Sequence, residues 1–167
     1  MSGPDRQTDA ADVKRHATLS HEYLKAAVLT ATPEQLQLML YDGAIRFATR
    51  GREALRAGDR EGMFLALERA QLIVLELSNG IRREVQPELA DRMSALYHFI
   101  YRRLVEANLH QDERAIDDAL RTLRFERETW LLLIEKLQRA AQGGLPETPS
   151  PPELFADAAP SRFCAEG

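Results

Sequence analysis

Residues 32–55, TPEQLQLMLYDGAIRFATRGREAL, decide the fold because they form one helical pattern that is apolar around most of its circumference. At about 100° per residue, the apolar positions fall on two nearly opposite faces. The first face is Leu36, Leu40, Gly43, Phe47 and Ala54, and the second is Leu38, Tyr41, Ile45 and Ala48. We expect the first face to meet the core. A helix that is apolar all round is normally buried, so the second face predicts a further partner.

The composition restricts the class of protein. Of the 167 residues, 44% are hydrophobic and 29% are charged, which is typical of one helical domain with tails. No apolar run approaches the roughly 18 residues of a membrane span, and the N-terminus lacks the pattern of a secretory signal. We therefore expect a cytoplasmic protein without membrane insertion. The net charge of −4 argues against nucleic-acid binding, and the single Cys164 argues against a disulfide framework.

Capping and breaking residues divide the chain into four long helices, which predicts an all-α, antiparallel up-down four-helix bundle. Thr32 is expected to cap the first helix, which begins at Pro33 and stops at Gly58. Asp59 is expected to cap the second helix, and Pro87 to open the third. A turn is expected at 108–111, after which the fourth helix runs from an Asp112 cap to Gly143 and Gly144. The expected core seams are Met63, Leu67, Ala70, Val74, Leu77 and Ile81; Leu89, Met93, Leu96, Ile100, Leu104 and Ala107; and Ile116, Leu120, Leu123, Trp130, Ile134 and Leu137.

The segments that flank the bundle differ from it in composition. We expect a disordered extension at 1–17, a bundle domain at 18–142 and a disordered proline-rich tail at 143–167. Just before the first long helix, Tyr23, Leu24 and Val28 belong to a short amphipathic segment that is too short to be a stable helix alone. We expect this segment to dock on the second face of the first helix.

Apolar residues that project away from the seams predict a binding surface. Single exposed leucines and tyrosines are ordinary, and some of these side chains could instead pack against neighbouring helices. A contiguous apolar patch, however, marks an interaction site, and an amphipathic peptide helix is the ligand that fits it. The predicted surface consists of Leu38, Tyr41 and Ile45 of the first helix, Leu65, Leu72 and Leu75 of the second, and Tyr97, Tyr101 and Val105 of the third.

The sequence shows no pattern typical of an enzyme, a metal or a cofactor. Glu-x-x-His pairs, glycine-rich phosphate loops and G-x-S-x-G motifs are all missing. Glu106 and His110 are four residues apart, but we expect a helix end between them. Two alternatives remain. His98 on the polar side of the third helix would suit a histidine phosphotransfer protein, and a structural bundle would hide its apolar surface by self-association.

Two long motifs resemble a known family. The run YLKAAVLTATPEQLQLMLYDGAIRF at 23–47 resembles the start of the flagellar secretion chaperone FliS family. The run LYHFIYRRLVEANLHQD at 96–112 is similar to the family's third helix and following turn, and Trp130 falls where its fourth helix carries a tryptophan. The resemblance covers about residues 23–137.

The resemblance implies a function. The family is an α-helical bundle that binds the disordered C-terminal segment of flagellin in the cytoplasm, prevents premature polymerisation and delivers flagellin to the flagellar type III export gate. It implies a monomer that binds flagellin 1:1. It leaves two roles open for Tyr23, Leu24 and Val28, which would either plug the groove when flagellin is absent or dock to the export gate.

Overall fold

The computed structural model of the protein describes residue 22 and residues 25–143, with side chains through residue 141. The chain divides into two compact units, residues 1–32 and residues 33–167. In the first unit, residues 25–30 are helical and include Val28, whereas Tyr23 and Leu24 lie outside the described residues. The predicted disordered segments, 1–17 and all but the first residue of 143–167, also lie outside them and remain predictions.

The second unit contains four long helices. They are α1 (Pro33–Arg56), α2 (Arg60–Asn79), α3 (Pro87–His110) and α4 (Glu113–Gly143). In cross-section they form a square in which α1 and α3 each pack against both α2 and α4. Short connections make sequential neighbours antiparallel, and the C-terminal Arg56 of α1 accordingly lies beside Glu113 at the start of α4. The predicted all-α helical bundle is confirmed.

The expected helix starts are confirmed at three places. Pro33 and Pro87 each occupy the first position of a helix, where a missing backbone N–H costs nothing. The side chain of Asp59 accepts a 2.8 Å hydrogen bond from the backbone N–H of Gly62 and caps α2. Gly58 separates α1 from α2 with φ of 75°, a left-handed conformation that glycine adopts without strain.

The C-terminus of α3 corrects one predicted boundary. The helix continues through His110, so the turn expected at 108–111 is wrong. Only Gln111, with φ of 53°, and Asp112 connect α3 to α4. Asp112 does cap α4, since its side chain accepts a 2.9 Å hydrogen bond from the backbone N–H of Arg114.

The core lies along heptad-spaced seams. In α2 the predicted seam is buried, except that Ile81 lies beyond the helix end and is half-buried. In α4 the predicted seam is buried as far as Trp130 and half-buried beyond it. In α3 the first and third positions of the predicted seam are each displaced by one residue. Ala90 and Tyr97 are buried, whereas Leu89 is exposed and Leu96 is half-buried.

The inward side of α1 contains members of both predicted faces. Tyr41 and Ala48 of the face expected to meet a partner are buried, together with Ala44 and with Gly43 of the face expected to meet the core. Gly43 and Phe47 adjoin α2. There the bare Cα of Gly43 allows close approach, since a Cβ atom at this position would lie 3.2 Å from Ile73 Cδ1.

Candidate binding surface

The outer side of α2 exposes the large apolar residues that the sequence indicated. Leu65 and Leu72 are 50% and 46% exposed and, being seven residues apart, lie on the same face of the helix. Leu75 and Phe64 are also exposed and lie nearer to α3. The expectation that Leu65, Leu72 and Leu75 project outward is therefore confirmed, although it does not by itself show what they bind.

Residues of α3 extend this surface. The side-chain amide of Asn108 donates a 3.5 Å hydrogen bond to the backbone oxygen of Phe64, which fixes the side of α3 that adjoins α2. Tyr101 precedes Asn108 by one heptad, and Val105 lies one turn after Tyr101, so both lie on or next to this side. Both are half-buried. We call Phe64, Leu65, Leu72, Leu75, Tyr101 and Val105 the α2–α3 apolar surface.

Leu38 and Ile45 are not part of this surface. They share one heptad position of α1 with Arg52, whose guanidinium binds the Asp117 carboxylate of α4 at 2.8 Å. Both side chains are half-buried and pack against the core. The structure therefore places them on the α1–α4 side of the bundle, and the single predicted surface is divided between two flanks.

Tyr41 and Tyr97 are core residues, so their predicted place on the binding surface is wrong. They are 1% and 0% exposed, and their hydroxyl oxygens lie 2.6 Å apart. The side-chain amide of the buried Gln37 donates a hydrogen bond of 3.3 Å to the Tyr97 hydroxyl. These contacts satisfy two phenols inside the bundle, where an unpaired hydroxyl would be costly.

Burial also changes the acidity of this cluster. Removal from water disfavours the phenolate, so it raises the pKa of Tyr41 to about 12 and also raises the pKa of Tyr97 well above its ordinary value. The carboxyl of Glu126 on α4 is half-buried, and desolvation raises its pKa above the ordinary value of 4.5. Both tyrosines remain neutral at physiological pH and act as packing and hydrogen-bonding groups.

The two flanks of α4 are closed by ion pairs. On the α1 side, Arg52 pairs with Asp117, Arg56 with Glu113 and Arg127 with Asp42; on the α3 side, Arg103 pairs with Asp118. Among the described residues, no ion pair involves a residue of α2. The outer side of α2 therefore exposes leucines among charged residues such as Glu68 and Glu76 that form no ion pair with a neighbouring helix.

Sequence reasoning missed part of the exposed apolar area. Phe64 projects from α2 beside Leu65, and Leu109, one turn beyond Val105, is strongly exposed on α3. Leu109 was assigned to a turn, so its helical position could not be predicted. The seam of α2 predicts an outward position for Phe64, as for Leu65, Leu72 and Leu75, but the predicted surface did not include it.

The described residues contain neither a metal-binding cluster nor a membrane-spanning helix. Glu106 and His110 both lie on α3, yet no group of three or more His, Cys, Asp or Glu side chains there is placed to hold a metal ion. No helix within the described part of the chain is long and apolar enough to cross a membrane. His98 is exposed on α3, where the phosphotransfer alternative requires it.

The fold and the exposed surface define a class, a helical bundle that presents an apolar strip on one side. Comparison with known proteins specifies the family. The sequence model of a family described as "Flagellar protein FliS" matches residues 16–137. The chain belongs to the FliS family of flagellar secretion chaperones.

Individual relatives agree with this assignment. The flagellar secretion chaperone FliS of Bacillus subtilis (strain 168) is 34% identical over 74% of this chain and 92% of its own length. That of Salmonella typhimurium (strain LT2) is 37% identical over 72% of this chain and 88% of its own length. The Escherichia coli (strain K12) chaperone is 30% identical over 64% of this chain and 79% of its own length. Because the members of this family are chaperones, the assignment favours a binding function over the phosphotransfer alternative.

Proposed function

We propose that this protein binds the disordered C-terminal segment of flagellin on the α2–α3 apolar surface. Binding takes place in the cytoplasm, keeps flagellin from polymerising early and delivers it to the flagellar type III export gate. Membership of the flagellar secretion chaperone family supports the identity of the client. The solvent exposure of Leu65 and Leu72 is the observation that supports the place of binding.

The chemistry of the surface favours a helix-forming client. A strip of apolar side chains along two antiparallel helices matches the apolar face of an amphipathic peptide helix. A client that folds on binding loses about 2 to 5 kcal/mol in ordering, while such interfaces bury roughly 1,000 to 3,000 Å². The net affinity is then useful and still reversible, which release at the export gate requires.

The mechanism is masking without catalysis. A client segment that lies on the α2–α3 apolar surface hides its own apolar face and is no longer available to other flagellin chains. One bundle offers one such surface, which supports a ratio of one flagellin segment to each chaperone chain. No residue in this proposal acts as an acid, a base or a nucleophile.

The segment that contains Tyr23, Leu24 and Val28 keeps its two proposed roles, as a plug or as a contact to the export gate. Deletion of residues 1–30 separates them. A plug predicts more binding of the dye ANS by the free protein, together with equal or tighter binding of flagellin. Gate docking predicts unchanged dye and flagellin binding and a loss of export.

Calorimetric titration with the C-terminal segment of a flagellin from the same cell tests the main proposal. We expect saturable 1:1 binding with a negative heat-capacity change, because apolar surface is buried. A peptide of the same composition in scrambled order serves as the control. Absence of saturable heat at any temperature, with a chaperone that is helical by circular dichroism, would contradict the proposal.

A further inference from the structure

Two arginines from different helices lie over one aromatic ring, at the side of α2 that faces α1. The guanidinium carbons of Arg46 on α1 and Arg69 on α2 lie 5.1 and 5.7 Å from the centre of the Phe47 ring. Both arginines are exposed, and Phe47 is half-buried against the core. Because a cation is attracted to the face of an aromatic ring at such distances, the ring holds the two guanidiniums close to each other.

No carboxylate within the described ranges forms an ion pair with either arginine. Asp42, one turn before Arg46, binds an arginine of α4 instead. Glu68 is adjacent to Arg69 in the sequence and therefore projects about 100° away from it around α2. The other exposed glutamates of these two helices lie seven or more residues from the arginine of their own helix, namely Glu53, Glu61 and Glu76. Within the described part of the bundle, the positive charge beside the ring thus has no bound counter-charge.

The chemistry of this pair suits a carboxylate. A guanidinium presents five N–H donors at the edge of its plane, in a fork that matches the two oxygens of a carboxylate. Contact through its face with an aromatic ring leaves those edge donors available. Two neighbouring cations also repel each other, and a carboxylate bound between them would replace that repulsion with two attractions. Arg46 and Arg69 are therefore placed to bind one acidic group of a partner.

The arginine pair borders the α2–α3 apolar surface. Arg69 follows Leu65 by four residues and precedes Leu72 by three, which are the spacings of neighbours on a helix surface. A peptide that covers both leucines therefore passes Arg69 in the middle of its contact. A chain end at this point would leave one of the two leucines uncovered, so the group that reaches the pair belongs to a side chain rather than to a C-terminal carboxylate.

We propose that Arg46 and Arg69 together bind one Asp or Glu side chain of the flagellin segment that lies on the α2–α3 apolar surface. The inference rests on the proposed function and adds a specificity contact to it. The acidic side chain belongs to the border of the client's apolar face, on the side toward α1. Apolar contacts alone tolerate a shift of the client along α2, whereas one charged contact at a fixed place sets its register.

Calorimetric titration of the full chain with the flagellin C-terminal segment, at low and at high salt, tests the role of the pair. We expect the Arg46→Gln/Arg69→Gln variant to bind the segment about tenfold more weakly at low salt, because two charge-assisted contacts are lost. The difference should shrink at high salt, since screening already weakens both contacts in the original protein. Arg124→Gln is the matched control and should bind normally. Arg124 is also exposed and without an ion pair among the described residues, but it lies on α4, diagonally opposite α2.

Variants of the segment identify the acidic group. In peptides whose Asp and Glu residues are replaced one at a time by Asn and Gln, one replacement should weaken binding to the original protein about tenfold. The same replacement should cause no further loss with the Arg46→Gln/Arg69→Gln variant, because the contact is already absent there. A segment with an amidated C-terminus should bind as tightly as the free acid.

Equal affinity of the Arg46→Gln/Arg69→Gln variant and the original protein at low salt would overturn the proposal, as would losses that add in full for every peptide. A loss produced only by C-terminal amidation would assign the pair to the chain end and contradict the side-chain contact. Circular dichroism should show unchanged helicity, because both arginines are exposed. Saturable binding that does not depend on the two arginines would remove this contact and leave the proposed function intact, whereas absence of saturable binding by the original protein would remove both.

Discussion

The α2–α3 apolar surface and the α1–α4 flank run along the same bundle, yet they meet water in different ways. On the α1–α4 flank, Arg52 and Arg56 bind carboxylates of the neighbouring helix, and Leu38 and Ile45 are half-buried against the core. On the α2–α3 apolar surface, Leu65 and Leu72 stay about half exposed, and among the described residues no ion pair joins α2 to a neighbouring helix.

The difference distinguishes a flank whose charges are paired from a side whose exposed apolar residues can still bind a partner. On a flank closed by ion pairs the charges are already paired, so a partner would have to displace them at a desolvation cost. When an apolar partner covers an open apolar strip, burial contributes about 25 cal/mol of favourable free energy for each Å² removed from water. The apolar residues in the sequence did not distinguish these two sides. The ion pairs between α1 and α4 in the structure distinguish them.

The largest expected effect separates the core from the surface. We expect Tyr97→Ala to lower the free energy of unfolding by about 3 to 5 kcal/mol, because it removes a fully buried ring and its hydroxyl contact with Tyr41. Leu72→Ala should change it by less than about 0.5 kcal/mol, as is usual for an exposed residue. Urea unfolding followed by circular dichroism measures both. Equal effects would mean that Tyr97 does not lie in the core.

The next prediction concerns client affinity. Leu72→Asp should weaken binding of the flagellin segment at least about tenfold, or 1.4 kcal/mol, because it puts a charge into the apolar contact. Phe125→Asp is the matched control, since it makes the same kind of change at an exposed apolar position on the opposite side. Calorimetry should show normal affinity for this control, and similar losses in both variants would remove the distinction between the two sides.

The ion pairs of the α1–α4 flank should contribute modestly. We expect Asp117→Ala, which removes the partner of Arg52, to lower the free energy of unfolding by up to about 1 kcal/mol. The loss should shrink at high salt, since screening weakens the original pair. Binding of the flagellin segment should be unaffected. A tenfold loss of affinity in this variant would place the client on the α1–α4 flank instead.

The smallest effect concerns Glu126, whose pKa is raised by burial. A carboxyl with a raised folded-state pKa favours folding when protonated and loses that contribution as pH rises through the folded pKa. We therefore expect Glu126→Gln to stabilise the protein at pH 7 by about a few tenths of a kcal/mol, given the partial exposure of the carboxyl. The gain should vanish below the ordinary pKa of 4.5. Melting temperatures of both proteins across this pH range provide the measurement.

Much of the fold could be predicted from the sequence because its signals are local. Pro33, Asp59 and Pro87 act within one turn of themselves, and the helices begin where these residues indicate. The α2 seam alternates strictly by three and four residues, so its inward face was readable. In α1, periodicity alone could not show which apolar face points inward, because both faces are apolar.

The binding surface was harder to predict because it depends on contacts between distant residues. Tyr41 and Tyr97 are 56 positions apart, and their mutual hydrogen bond, with the one from Gln37, is what permits burial of two hydroxyls. Leu65, Leu72 and Leu75 were readable as outward positions because the α2 seam was unambiguous. Leu38 and Ile45 were assigned to the same surface because sequence spacing does not reveal which neighbouring helix a side chain faces.

The most direct test of the proposed client site is amide NMR mapping of the full chain during titration with the flagellin C-terminal segment. Chemical shifts are expected to change along the outer side of α2 and the adjoining side of α3, around Leu65, Leu72 and Val105, with little change around Arg52 and Asp117. Changes concentrated on the α1–α4 flank, with α2 unaffected, would contradict the claim that the open apolar strip receives the client.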